Sequence, residues 1–372
     1  MHKKLISLGL MSGTSGDGVD ASIIRSNGSN QYELIKDKYY EYDIAIYKDI
    51  HNLKEKIHKI DDLEIYKSEI NNLERRITIF HAEVIKDLHI SDETIIGFHG
   101  QTIYHNPAEK VSRQLANGKL LNQLVKKIVV YNFRNNDILN GGEGAPLTPI
   151  FHHLISNQNN IKLPVCFLNI GGISNVTIIS DKNDLTKLIS KDIGPGNCLI
   201  DAWVRKNSNK KFDLDGQIAL MGTRNEIIYE QAQELYMNRK SKKKLSFDTN
   251  DFDISFLRGL SFEDGVTTLT DFTASIIGEE LSLTLKNYEN KLQDILLCGG
   301  GRKNKVLLKK IKRNLLPKIN LKLIDEYRVD GDFIESQAFA FLAIRSFLQL
   351  PISFPNTTGC KAPCTGGKLI KY

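Results

Sequence analysis

One design, used twice, limits what this chain can become. Residues 5–24, "LISLGLMSGTSGDGVDASII", run from an apolar, β-branched stretch through a turn holding Gly13, Gly16 and Gly18 into a second apolar stretch. The pattern predicts strands at 4–11 and 19–25 joined as a hairpin, with a turn large enough to meet a phosphate. Residues 165–180, "VCFLNIGGISNVTIIS", repeat the scheme, which predicts two related lobes. The 372 residues also exceed the roughly 250–300 at which a single core stops growing. The expected organisation is lobe I over 1–130, with the tail 349–372 returning to it, and lobe II over 131–348.

Composition excludes several partners. With 41% apolar and 25% charged residues, the chain is an ordinary globular protein. The net charge of +6 is spread along the sequence, and no basic run is interleaved with aromatics, which argues against nucleic acid. "RKSKKK" (239–244) and "KKIKR" (309–313) read as solvated faces. No stretch approaches the roughly 18 consecutive apolar residues of a membrane span. "MHKKLISLGLM" reads as the first strand rather than a leader, since Ser7 and Gly9 interrupt its apolar run. Five scattered cysteines (Cys166, Cys198, Cys298, Cys360 and Cys364) favour a reducing, cytoplasmic setting. Cys360 and Cys364 lack the second pair that would complete a zinc site.

The periodicity places the rest. Residues 50–88 read as a charged helix with Ile70, Leu73, Ile77, Phe80 and Val84 on one face. Further helices are expected from Leu199, over about Phe272 to Tyr288, within "DILLCGGGRKNKVLLKKI" (294–311) after its glycine turn, and over 333–348. "TIIGFHGQTIYHNP" (94–107) and "KIVVYNFRNNDILNGGEGAPLTP" (127–149) read as strands entering polar loops, and 238–255 as an irregular Lys-rich region.

The opening turn fits an anion, because Gly13, Gly16 and Gly18 let backbone N–H groups approach while Ser12, Thr14 and Ser15 add donors. It is neither a Walker loop, since no lysine occurs in 5–24, nor a dinucleotide turn, since the spacing is GxxGxG. A hairpin needing positive φ would use the same glycines. Asp17 changes the balance: a carboxylate beside a phosphate calls for a cation, which points to magnesium. Gly171 and Gly172 supply a second turn, and Gly299, Gly300 and Gly301 with Asn304 a third, suited to adenine or ribose. Asp192, in "DIGPGN", is either a general base fixed by its turn or a helix cap. Glu335 opens an apolar helix, where an unpaired charge is costly, or is merely exposed. Arg134 has the planar fork that clamps a carboxylate, or forms a surface ion pair. His99 and His105 have no third ligand nearby for a metal.

Together "GLMSGTSGDGVDA", "FHGQTIYHNP", "NFRNNDILNGGEGAPLTP", "NIGGISN", "DIGPGNCLIDAW", "LCGGGRKN" and "ESQAFAFLA" resemble the anhydro-N-acetylmuramic acid kinases of the sugar kinase, actin and chaperone ATPase superfamily. The resemblance runs from residue 8 to the tail. It implies a two-lobed α/β, actin-like ATPase (ribonuclease H-like) fold with ATP and Mg²⁺ in a deep interlobe cleft, and a cytoplasmic homodimer. Water opens the 1,6-anhydro ring while O6 takes the phosphoryl group, giving N-acetylmuramic acid 6-phosphate for peptidoglycan recycling. The family's ATP segment falls on Gly13, Thr14, Ser15, Gly16, Asp17, Gly18, Val19 and Asp20, with Gly171, Gly172, Asn175, Gly299, Gly300, Gly301 and Asn304 completing the nucleotide contacts. The base falls on Asp192 and the sugar contacts on Thr102, Arg134 and Glu335.

This sequence departs from the family pattern at Gly16 (usually large and apolar), Asn132 (Asp), Glu143 (Gln) and Ile193 (Thr), and of "PKSTGRE" it keeps only Lys240 and Ser241. The rival readings are a kinase for another sugar and an actin-like nucleotide sensor or scaffold. Two carboxylates aimed at a substrate site argue against the second.

Overall fold

The computed structural model describes residues 3–239, 254–288 and 291–371. Lys240, Ser241 and most of the Lys-rich stretch read at 238–255 lie outside the described residues. The chain forms two compact units: Met1–Lys162 with Asp181–Ser190 and Phe333–Tyr372, and Leu163–Ser180 with Lys191–Asp332.

The first unit is built on a seven-stranded sheet. Its strands are β1 (Leu5–Ser12), β2 (Gly18–Ser26), β3 (Tyr32–Glu41), β4 (Ile95–Asn106), β5 (Val111–Leu115) and β6 (Val129–Tyr131), with β12 (Lys368–Ile370) at one edge. The order is β12-β6-β4-β1-β2-β3, and β5 pairs with β4. In the second unit β7 (Val165–Ile170), β8 (Ile173–Ile179), β9 (Ile189–Pro195), β10 (Asp294–Cys298) and β11 (Asn320–Leu323) run in the order β11-β10-β7-β8-β9. Each sheet thus sets its first two strands as an antiparallel hairpin, with two later strands joining parallel on the far side. The repeat read in the sequence is a repeat of topology, and the expected α/β class built of two units holds.

Strand alternation splits the first sheet's faces. Leu8, Leu10, Ile96 and Phe98 join one core with Ile46, Ile50, Leu53, Ile70, Leu73 and Ile77 of the flanking helices. The intervening Gly9 and Gly97 face the helix Ile334–Phe347, whose backbone comes so close that a Cβ would sit 1.9 Å from the Ser336 carbonyl oxygen and 2.5 Å from that of Phe339. This contact ties the 333–348 helix to the first unit. The helix Pro149–Gln158 also packs on it. Hence the units change over at 162/163 and 332/333, whereas the sequence reading set its lobe limits at 130/131 and 348/349.

Other expectations change in detail. Residues 50–88 form three helices, Ile44–Lys56, Ile60–Ile65 and Lys67–Asp87, because Ile57 leaves the helical region. The helix expected from Phe272 begins at Phe262, where Ser261 caps it and Glu263 and Asp264 occupy its first turn. That start lets Gly265 accept the ring of Trp203, whose Nε1 donates to the Phe262 carbonyl at 3.0 Å. The "FHGQTIYHN" segment is strand throughout, paired with β5 rather than opening into a loop.

Candidate active site

In the first unit, the end of β1 and the turn after it are braced by side chains from elsewhere. Ser12 Oγ donates to Gln101 Oε1 at 2.7 Å, and Gln101 Nε2 donates to the Gly13 carbonyl at 3.0 Å. Tyr42 donates to Ser12 Oγ at 3.2 Å. The helix Ile44–Lys56 sends Lys54 Nζ to the Thr14 carbonyl at 2.9 Å and His51 Nε2 to that of Ser15 at 3.0 Å. These braces arrive from other elements, which turn spacing could not reveal. Gly16 holds φ +63°, a glycine conformation, and a Cβ would lie 2.9 Å from Ile50; the family's large residue has no room here. Asp17 Oδ1 accepts from Ser15 Oγ at 2.5 Å. Burial first, then Asp17, Glu41 and Asp20, push the Tyr39 hydroxyl pKa up, so Asp17 and Asp20 share one acidic surrounding at the turn's exit. Val19 is fully buried in the core, leaving its backbone alone for any ligand.

The sugar-binding candidates lie around β4 in the same unit. At Gly100, with φ +74°, the register with β1 shifts. The bulge places Gln101 opposite Ser12, while His99 stacks on Phe339 with ring centres 4.4 Å apart. His99 Nδ1 must donate to the Gly100 carbonyl at 2.8 Å, which leaves Nε2 to accept from Arg134 Nε at 3.1 Å and Nη2 at 3.0 Å. Burial first, and then the Arg134 charge, hold the His99 pKa well below its ordinary value, so the ring is neutral. Arg134 Nη1 donates to the Gly144 carbonyl at 2.8 Å, which fixes the fork's plane. Glu335, half-buried in the first turn of Ile334–Phe347, is four residues before Phe339 on the same helix face. Thr102 Oγ1 accepts from Gln114 Nε2 at 3.3 Å. Asn132 takes φ +56°, a conformation asparagine tolerates better than most residues. His105 bonds Ser112 Oγ at 2.9 Å, apart from the His99 pair.

The second unit gathers the remaining candidates. Its glycine turn is held by backbone alone on one side: Asn197 N–H donates to Gly171 O and Gly196 N–H to Gly172 O, both at 2.8 Å. Ser174 Oγ adds a bond to Pro195 O at 3.3 Å. Asp192 is buried, and it stands in β9 rather than capping a helix. Its strand runs on through Gly194 into this contact and then into the helix Cys198–Asn207. Ile193 is buried, a core position where the family's Thr would need a partner. Asn304 Oδ1 caps the helix Lys305–Arg313 through Leu307 N–H at 2.9 Å, so its side chain has a structural duty the sequence reading missed. Beneath the third turn Arg302 binds Asp325 at 2.9 and 3.0 Å, Asp330 at 3.1 Å and Asp332, and donates to Gly299 O.

Two observations test whether these turns suit a phosphate-bearing ligand. Gly13, Gly171 and Gly300 have no positive φ, and a Cβ on each would meet nothing closer than 3.9, 3.5 and 4 Å respectively. The fold does not require them to be glycine; without a side chain they leave the backbone of each turn open to close approach, although the Gly171 N–H itself donates to the Ile173 carbonyl at 3.3 Å. Asn175 Oδ1 is buried without a hydrogen-bond partner among the described residues, the mark of a group that a ligand or water satisfies.

The family model for anhydro-N-acetylmuramic acid kinase matches residues 5–371. A relative of that name from Pelagibacter ubique is 55% identical over 374 residues, covering 100% of both chains. Another, from Zymomonas mobilis, is 36% identical and covers 98% of this chain and 99% of its own. Among solved structures, the activator of the 2-hydroxyisocaproyl-CoA dehydratase from Clostridium difficile with bound ADPNP aligns over 93% of this chain and 96% of its own, at 12% identity and a TM-score of 0.43.

Proposed function

The chain belongs to the anhydro-N-acetylmuramic acid kinase family, and we propose that it uses ATP and water to convert anhydro-N-acetylmuramic acid into N-acetylmuramic acid 6-phosphate, a step of peptidoglycan recycling. The observation that supports this most is Asp192, a buried carboxylate whose strand leads straight into the hydrogen-bonded pair of glycine turns. A carboxylate placed there acts as a general base, typically worth about 10²- to 10⁴-fold in rate.

Asp192 takes a proton from water as the water oxygen bonds to C1. The C1–O6 bond breaks, O6 bonds to the γ-phosphorus, and ADP leaves. No second carboxylic acid is needed for the leaving oxygen, because the phosphoryl group captures it. Arg134, held in plane by neutral His99 and the Gly144 carbonyl, receives the lactyl carboxylate as a planar fork. Glu335 and Thr102 orient the sugar hydroxyls or the water. Gly13–Asp20, Gly171, Gly172 and Asn175 hold the phosphates, and Gly299–Gly301 the adenosine. Asp17 is the residue assigned to Mg²⁺, directly or through water, whose charge would offset that of the phosphates. The family resemblance extends the reading to a cytoplasmic homodimer.

Mass spectrometry of the product formed from anhydro-N-acetylmuramic acid, ATP and heavy-oxygen water, quenched promptly, tests the proposal. The expected product carries one phosphoryl group and one heavy oxygen at C1. A phosphorylated product with the anhydro ring intact would replace this reading with plain sugar phosphorylation, and absence of phosphorylated product would end it.

A further inference from the structure

Along the chain Cys360 and Cys364 have no nearby partner for a metal, but the fold brings one from far upstream. Asp137, in the short helix Asn135–Leu139 just after Arg134, is 1% exposed. Its carboxylate oxygen and the sulfurs of Cys360 and Cys364 all lie within 4.8 Å of one another, and all three residues are buried. We propose that Asp137, Cys360 and Cys364 form a binding site for a thiophilic divalent cation of the zinc class.

The chemistry of the donor set supports this. Zinc takes sulfur at about 2.3 Å and carboxylate oxygen at about 2.0–2.2 Å, which puts tetrahedral ligands roughly 3.5–3.8 Å apart, inside the 4.8 Å within which the three donor atoms lie. Two thiolates and one carboxylate bring three negative charges to a buried place, and a dication offsets two of them. The carboxylate is already oriented: Oδ2 accepts from Gly144 N–H at 2.7 Å and Oδ1 from Thr358 Oγ1 at 2.6 Å, as the outer partners of a metal ligand do. Each oxygen keeps a further lone pair. A second, independent observation comes from Ser353, bridged to Cys364 across an antiparallel pair. It is 1% exposed, and beyond the Cys364 thiol beside it its Oγ has no hydrogen-bond partner among the described residues. A water in the fourth coordination position would take that hydroxyl as a partner.

Without a metal the Cys364 thiol donates to the Ala362 carbonyl at 3.0 Å. Loading would release the protons of both thiols to solvent as two metal–sulfur bonds and one metal–oxygen bond form. The site would clip the 135–144 loop to the C-terminal segment, reinforcing Glu143 N–H to Thr358 O at 2.8 Å and Lys361 N–H to Asn140 O at 3.2 Å. Gly144 then links it to Arg134, since its N–H meets Asp137 and its carbonyl holds the guanidinium.

The test uses the full-length protein, reduced and stripped with a chelator, without nucleotide or sugar, so its outcome is independent of the proposed activity. Titration with Co²⁺ is expected to give a thiolate-to-cobalt charge-transfer band that saturates at one equivalent and is displaced by Zn²⁺. Cys360→Ala and Cys364→Ala should each abolish the band or weaken Co²⁺ binding about tenfold or more, while Cys298→Ala, in β10, leaves it intact. The proposal is overturned if the folded parent protein shows no band at one equivalent, or if both single variants retain it. It is equally overturned if the two thiols are found as a disulfide that forms in preference to metal binding.

Discussion

The two hairpin turns carry the same topological position in sheets of the same strand order, yet they are held in opposite ways. The first turn, 12–18, leans on side chains from three other elements: Gln101, Tyr42, and the helix bearing His51 and Lys54. The second, 170–175, is held chiefly by backbone N–H groups of the segment that follows Asp192. A turn braced by side chains can be loosened one residue at a time. A turn braced by backbone moves only with its neighbour, here the segment carrying the proposed base. Under the proposed function, the chemistry falls to the second unit and sugar recognition to the first.

The largest expected effect breaks the chemical half alone. Asp192→Asn should lower kcat by about 10²- to 10⁴-fold while equilibrium binding of ATP analogue and sugar stays close to the parent. Turnover within about threefold of the parent would remove the base from the second unit. Arg134→Ala should instead raise the sugar KM, and Arg134→Lys should recover little, because a point charge cannot replace the planar fork.

Next in size is acid sensitivity. All nine histidines precede residue 154. His81, His99 and His152 are buried, and burial is the first cause that lowers their pKa values, to about 4 for His81, about 3 for His152 and well below the ordinary value for His99. A depressed histidine binds its proton in the unfolded chain but not in the folded one, so stability is intact above pH ~6.5 and falls as the pH drops from there toward the folded values. At one pH unit below 6.5, His81 and His152 each cost about 1.4 kcal/mol, and His99 adds in the same direction. Hydrogen exchange at pH 7 and 5.5 should show first-unit amides losing protection before those of the second. A uniform loss in both units would contradict this.

Glycine substitutions come third. Gly301→Ala puts a Cβ 2.3 Å from Ile170 and should cost about 1–3 kcal/mol by overpacking, seen as a lower Tm. Gly300→Ala and Gly13→Ala meet no such obstacle and should leave Tm unchanged while raising the KM for ATP. If they lower Tm instead, those glycines serve the fold and not a ligand. The smallest contrast is between braces: Gln101→Ala removes two bonds and leaves the buried Ser12 O–H without its acceptor, for about 1–3 kcal/mol, whereas Ser174→Ala loses one ordinary bond of about 1 kcal/mol. Equal Tm shifts would erase the distinction between the turns.

Legibility followed sequence distance. Both hairpins were plain, since apolar β-branched runs around glycines are local signals. So were the third turn and the helix Ile334–Phe347. The strand Tyr32–Glu41 escaped notice because "YELIKDKYYE" forms the sheet's exposed edge and alternates poorly. The start of the helix at Phe262 was hidden by Gly265 and a run of threonines and valine. Asp192, Arg134 and Glu335 could be named from their motifs, but the tautomer of His99 and the reach of Lys54 depend on tertiary pairing. Asp137 carried no signal toward Cys360 and Cys364, which meet it only once the tail has returned.

Trp203, the chain's one tryptophan, is seated on Gly265 with its indole N–H bound to the Phe262 carbonyl. It lies in the helix that begins right after Asn197, whose N–H holds the second glycine turn. The protein therefore carries its one indole in the second unit, within two helical turns of the proposed phosphate grip. Excited at the red edge, where tyrosine does not absorb, that indole would report nucleotide occupancy under the proposed function, without a label.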